Sequence, residues 1–169
     1  VSDVITQRPE PGWSRKLGLS VVGDAPSGKG ADPGHDRVLI MDRVFRYAWG
    51  FDERNVELLG QCFTADGVWE GSVMGTEAVG PFTGREAITG FLGEFWPNQV
   101  DQRRHVFTNV IIDDYTGTSA QVHAYLLLMS SMEAQTTPVT VGPYRLDLVK
   151  ETNGVWRISH LRGGWDSPF

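Results

Sequence analysis

The chain is short of cysteine, of long apolar runs and of positive charge, and each shortage narrows what it can be. Cys62 is the only cysteine in 169 residues, so no internal disulfide can form, which suits a reducing cytoplasm. Its simplest role is a small core hydrophobe on a helix. No apolar stretch approaches the ~20 residues that a membrane-spanning helix needs. The opening Val-Ser-Asp-Val-Ile has no basic segment followed by an apolar one, so no signal peptide is read, although a start at Val1 rather than Met leaves a removed signal open. Lys and Arg number 15 against 21 Asp and Glu, for a net charge of −6. With no basic cluster, that balance argues against nucleic acid or an anionic membrane as partner. No Gly-x-Gly-x-x-Gly or phosphate loop occurs. The four histidines (His35, His105, His123 and His160) are scattered without the spacing of a metal site, so neither metal nor organic cofactor is expected.

What remains is a soluble-type composition, 40% hydrophobic, in a chain long enough for one domain with a real core. Two regions are expected: an irregular N-terminal arm over residues 1–35 and a folded domain over 36–169. The arm is rich in Pro and Gly, as in Asp24-Ala-Pro-Ser-Gly-Lys-Gly-Ala-Asp-Pro-Gly-His35, and lacks apolar periodicity. Trp13, Leu17, Leu19, Val21 and Val22 could pin part of it to the body or to a neighbouring subunit.

From Asp36 onward helical spacing takes over. Val38, Ile40, Met41, Val44, Phe45, Ala48 and Trp49 recur as one stripe, and Gly50 and Asp52 mark its end. Asn55 can cap a second helix bearing Val56, Leu58, Leu59 and Phe63, with Asp66-Gly67 as the turn after it. Val68-Trp69-Glu70-Gly71 opens a short strand, and a third helix begins near Arg85 and ends by Pro97. Long strands follow: about Arg103 to Asp113, Ala120 to Met132, Val141 or Tyr144 to Lys150, and Val155 to about Arg162. Asp114–Gly117 and Thr152-Asn153-Gly154 are the turns between them. Helices first and an antiparallel meander second make an α+β arrangement. Its natural geometry is a curved, mostly antiparallel mixed sheet wrapped around about three helices, with a pocket at the open end.

The stretch Arg103-Arg104-His105-Val106-Phe107-Thr108-Asn109-Val110-Ile111-Ile112 carries the chemistry. From His105 it alternates, so His105, Phe107, Asn109 and Ile111 share one face of a strand. Imidazole is the side chain best suited to move protons near neutral pH. Upstream, Tyr47-Ala48-Trp49-Gly50-Phe51-Asp52 closes the first helix, and the two segments together suggest a Tyr/Asp/His pocket.

The succession of Phe-x-x-Asp-Gly-Val-Trp, Gly-Arg-Glu-Ala-Ile, Arg-His-x-x-x-Asn-Val and Gly-x-Trp-Arg-Ile resembles the SnoaL-like cone-fold family, of the nuclear transport factor 2-like superfamily. That group includes polyketide cyclases, scytalone dehydratase, bile-acid dehydratase, the lindane dehydrochlorinase and the β-subunits of ring-hydroxylating dioxygenases. The resemblance covers roughly Asp36 to Arg162. It implies the cone-shaped roll already read from the element order. In the family's dehydratases a Tyr and an Asp end the first helix and a His stands on the first long strand; Tyr47, Asp52 and His105 match by position and type. The acidic partner those enzymes place on the next strand is absent from Val122-His123-Ala124-Tyr125-Leu126, so an Asp–His pair has to use Asp52, as in the dehydrochlorinase. Trp156, Ile158, His160 and Arg162 share one strand face, which makes Arg162 the match for the family's last-strand Arg.

The resemblance thus implies a cofactor-independent lyase or isomerase acting on a small hydrophobic ring compound such as a steroid, polyketide or aromatic. His105 would be the base, Asp52 its orienting carboxylate, Tyr47 the acid or oxyanion donor and Arg162 a weaker cationic helper. Asn109, Trp49, Trp69, His123, Tyr125 and His160 are expected to line the pocket. The strand Ala120–Met132 is apolar on one face and carries His123, Tyr125 and Leu127 on the other, which points to a homotrimer or homodimer formed through the sheet's outer face. Two other classes stay open: a non-catalytic subunit like a dioxygenase β-subunit, and a ligand-binding module, which a buried and unpaired His105 would favour.

Overall fold

The computed structural model describes residues 16–19 and 34–169. The arm expected over 1–35 therefore lies outside the described residues, apart from 16–19 and the first two residues of the opening helix.

Helix α1 runs Gly34–Asp52, and Ile40, Val44, Tyr47 and Ala48 are the side chains it sinks into the core. This spacing of three and four is one helical face. The apolar stripe expected along this helix is only partly right. Val38, Phe45 and Trp49 fall on the opposite side and are exposed. Asn55 accepts the Leu58 N–H at 2.9 Å and caps α2, Val56–Gln61. At Gly50 an added Cβ would lie 2.9 Å from the Leu59 backbone nitrogen, so only glycine lets α1 and α2 meet so closely. Cys62 is fully buried at the end of α2.

Strand β1 spans Phe63–Val73, β2 Glu77–Thr83, β3 Gln102–Asp113, β4 Ser119–Met132, β5 Gln135–Lys150 and β6 Trp156–Trp165; helix α3, Arg85–Gly93, separates β2 from β3. They form one six-stranded sheet in the order β2-β1-β6-β5-β4-β3. Only the β1–β6 pairing is parallel. The sheet curls over α1 and α3, and one core cluster joins Ile40, Tyr47, Ile88, Leu126, Leu146 and Leu161. This is the α+β cone that the order of elements predicts.

Strand β5 begins at Gln135 rather than at Val141 or Tyr144, and two further features differ from the sequence reading. Asp66-Gly67 is not a turn: β1 already begins at Phe63, and these residues sit where its register against β6 shifts. Strand β2 was not expected, because Glu77-Ala-Val-Gly-Pro-Phe-Thr has too little apolar alternation. It is an edge strand, where a residue such as Pro81, with no N–H to give, is tolerated.

Candidate active site

The concave side of the cone holds a cavity of about 670 Å³. Its wall is mainly aromatic and aliphatic: Phe51, Trp69, Phe91, Leu128, Tyr144 and Trp165. A pocket of this size with a few polar groups set in an apolar wall suits a small organic molecule.

His105 reaches it from β3, between Arg103 and Phe107 on the inner face, and stands opposite Leu128 of β4. Its imidazole is nearly enclosed, with 7% of the side chain exposed. Phe51 packs edge-on against the ring at 4.8 Å between centroids. Asp52, at the C-terminal end of α1, holds this histidine twice. Its Oδ1 lies 2.6 Å from Nδ1, and its Oδ2 accepts the His105 backbone N–H at 2.8 Å. A carboxylate beside Nδ1 calls for a proton on that nitrogen. It leaves Nε2 with the lone pair, the arrangement of a general base. Asp52 is itself fixed, since Gln102 of β3 donates to its backbone carbonyl at 2.9 Å.

Tyr47 lies one helical turn before Phe51 on the same face of α1 and also lines the cavity. Its oxygen accepts the Trp69 indole N–H at 3.0 Å. Burial pushes the phenol well above its ordinary pKa, with the Trp69 hydrogen bond opposing. Tyr47 therefore keeps its proton at neutral pH and is a donor. Four expected site residues thus come together: Tyr47, Trp69 and His105 line the cavity, and Asp52 pairs with His105, which is not orphaned.

The other expected residues lie elsewhere, each for a local reason. A bulge in β6 leaves Ser159 as the extra residue between Ile158, opposite Leu148, and His160, opposite Asp147. It reverses the alternation, so Leu161 enters the core while His160 and Arg162 point outward. Arg162 there bonds Asp147 at 2.9 Å and Glu70 at 3.2 Å, and His160 Nε2 lies 2.8 Å from Glu70. A second bulge, in β3 between Thr108 and Ile111, holds Asn109 at φ 53° and exposes it; Ile112 takes the core position beyond. On β4 the even-numbered residues Val122 to Leu128 face inward, so His123 and Tyr125 are on the outer face. His123 bonds Gln121 at 2.8 Å and burial pushes its pKa down, whereas Tyr125 is exposed. Trp49 is two residues from Tyr47, about 200° around the helix, and is exposed too. None of Arg162, His160, Asn109, His123, Tyr125 and Trp49 lines the cavity.

A family model described as a SnoaL-like domain matches residues 34–162. The chain belongs to the SnoaL-like family. Solved structures agree. A Catenulispora acidiphila protein in complex with S-DNPA is 28% identical, with a TM-score of 0.67 over 78% of this chain and 94% of that one. A function-unknown protein from Mycobacterium tuberculosis is 23% identical, with a TM-score of 0.64 over 76% of this chain and 70% of that one. A chain from Novosphingobium aromaticivorans described as a dioxygenase beta subunit has a TM-score of 0.68 at 14% identity, covering 80% and 92%. The last two similarities show the fold alone. No curated protein matches the chain.

In this SnoaL-like cone several cavity residues escaped the sequence reading. Tyr144 and Trp165, in edge contact with each other, line it, and Trp165 lies beyond the matched family segment. Asp101 and Arg103, and also Glu94, Asn98 and Gln99, add polar groups to its lining. Arg103 was open to detection. It precedes His105 by two residues and so shares its strand face. Asp101 lies in the turn before β3, where no periodicity marks which residues face inward.

No helix among the described residues is long and apolar enough to cross a membrane. No group of three His, Cys, Asp or Glu side chains that could hold a metal ion occurs among them.

Proposed function

We propose that this SnoaL-like protein is a lyase or isomerase for a small hydrophobic ring compound, working by proton transfer without a cofactor. The observation that carries this reading is the enclosed Asp52–His105 pair at 2.6 Å, whose histidine lines the cavity together with Tyr47. His105 Nε2 takes a proton from a carbon next to an acidifying group. The electron pair of that C–H bond expels a leaving group in an elimination, or moves into a new double bond in an isomerisation. Asp52 fixes the tautomer and stabilises the imidazolium that forms. Tyr47 donates its proton or a hydrogen bond to the oxygen that gains charge.

The test needs no natural substrate. The benzylic C–H of 2-tetralone is acidified by its ketone and exchanges with solvent deuterium, which proton NMR follows directly. Wild-type protein is expected to speed this exchange over His105→Ala by about 10²–10⁴-fold, the usual contribution of a positioned base. Equal rates in the two proteins would refute the reading.

A second reading is favoured by the outer face of the sheet. Val106 and Val141 are exposed there on either side of Leu127, and Tyr125 stands nearby. Such a row suits a subunit contact. It fits a homotrimer or homodimer, or an assembly role like that of a dioxygenase β-subunit. A partner chain that co-purifies at fixed stoichiometry, together with no His105-dependent exchange, would favour the assembly role.

A further inference from the structure

The cavity holds a second polar cluster that the His105–Asp52 pair does not use. Arg103 shares the inner face of β3 with His105, and Ser130 of β4 stands directly opposite it. Asp101 receives both the Arg103 Nε–H and the Ser130 hydroxyl on one oxygen, Oδ2. Its side chain is nearly enclosed, at 10% exposure, while that of Arg103 keeps 23%. Neither terminal guanidinium nitrogen of Arg103 has an acceptor among the described residues. The result is a pair of fixed donors at the cavity wall, neutralised from behind by a carboxylate.

Donors backed in this way suit an uncharged acceptor. A ligand carboxylate would meet Asp101, whose charge already answers that of Arg103, whereas a carbonyl oxygen accepts the same hydrogen bonds without that repulsion. Two residues of strand set the Arg103 and His105 backbones roughly 7 Å apart on one face, so one side chain can hold a carbonyl oxygen while the other reaches the carbon next to it. The remaining wall is aromatic and suits the rest of such a ring system.

We propose that Arg103, positioned by Asp101 and Ser130, is the carbonyl-binding residue of this cavity, and that its ligands are neutral ring ketones. The ketone oxygen rests on Arg103 and the adjacent ring carbon faces His105 Nε2. The catalytic half of this inference rests on the proton-transfer reading above. As His105 takes the proton, the C–H electron pair becomes the enolate double bond, the carbonyl π pair moves to oxygen, and Arg103 stabilises the oxyanion.

Binding tests the proposal without turnover. The ring ketone 2-tetralone is titrated calorimetrically beside tetralin, the hydrocarbon that lacks the carbonyl, and 1,2,3,4-tetrahydro-2-naphthoate, which carries a charge. Wild-type protein is expected to bind the ketone at least about tenfold tighter than the hydrocarbon, as a charge-assisted hydrogen bond implies. Arg103→Met is expected to level the two, and His105→Ala to keep the preference. Should Arg103→Met lack a cooperative melt, Asp101→Asn/Arg103→Met, which leaves no enclosed charge unpaired, is read in its place. Equal wild-type affinity for ketone and hydrocarbon, tighter binding of the naphthoate, a preference that survives loss of Arg103, or no saturable binding would each overturn the proposal. His105-dependent deuterium exchange could still be found in all of those cases, so the two readings fail separately.

Discussion

Asp52 holds His105 through the backbone and the ring at once, so the two side chains form one device. Removing either should therefore cost about as much as removing both. In the deuterium-exchange assay, Asp52→Asn is expected to lose about 10²–10⁴-fold or less, and Asp52→Asn/His105→Ala little more than His105→Ala alone. Multiplicative losses would mean that the two act separately. Tyr47 plays a different part. Tyr47→Phe removes the phenol that faces the cavity beside His105, leaving only that of Tyr144, and leaves the Trp69 N–H without its acceptor. A buried donor so orphaned costs about 1–3 kcal/mol. This variant should lower both exchange rate and melting temperature, while Asp52→Asn should act chiefly on rate.

At the scale of the element, what the sequence conceals is the bulge. The Tyr47, Asp52 and His105 positions were legible because each sits in unbroken periodicity: α1 keeps its 3.6-residue repeat to Asp52, and β3 alternates through Phe107. Asn109, His160 and Arg162 were misread because one extra residue reverses every face after it, and nothing in the residue types marks where it falls. His123 and Tyr125 erred otherwise. Their strand is regular, and its apolar even-numbered face, not its polar one, turned out to be the concave side. The same register logic explains a close approach. Gly71 of β1 pairs with Gly163 of β6, and the Trp165 ring lies over the gap, where an added Cβ at Gly71 would come within 2.3 Å of it. Gly71→Ala should push Trp165 into the cavity it lines. Overpacking of this kind costs about 1–3 kcal/mol, or roughly 2–12 °C of melting temperature for a chain of this size. Calorimetry should show that loss, and ketone binding should weaken with it.

Across the whole molecule, the order of helices before meander was enough to read the cone, because that order leaves few ways to cover one sheet face with helices. The sheet's other face carries the exposed row of Val106, Tyr125 and Val141. Light scattering at micromolar concentration is expected to give a dimer or trimer, and a monomer mass would remove that face's role as an interface. What ties the ends of the fold together is Asp36, in the first turn of α1. It accepts from Lys150 of β5 at 2.8 Å, from the Trp156 indole of β6 at 2.9 Å, and from Tyr115 beyond β3 at 2.7 Å. These three donors, Lys150 foremost, bring its pKa down from 3.8 to about 2 against the effect of burial. A carboxyl whose folded pKa is depressed stabilises the fold above its unfolded value and loses that contribution as pH falls through the folded one. The contribution of Asp36 should thus be complete above about pH 4 and fade between 3.8 and about 2. Asp36→Asn should accordingly melt below wild type at pH 7, and the gap should narrow steadily as the pH is brought from 4 to 2. Asp101 and Asp147 are lowered in the same sense, burial opposing and their hydrogen bonds prevailing, so the variant should keep part of the wild-type acid sensitivity. A gap in melting temperature that stays constant down to pH 2 would show that Asp36 acts through shape and neutral hydrogen bonds rather than through its charge.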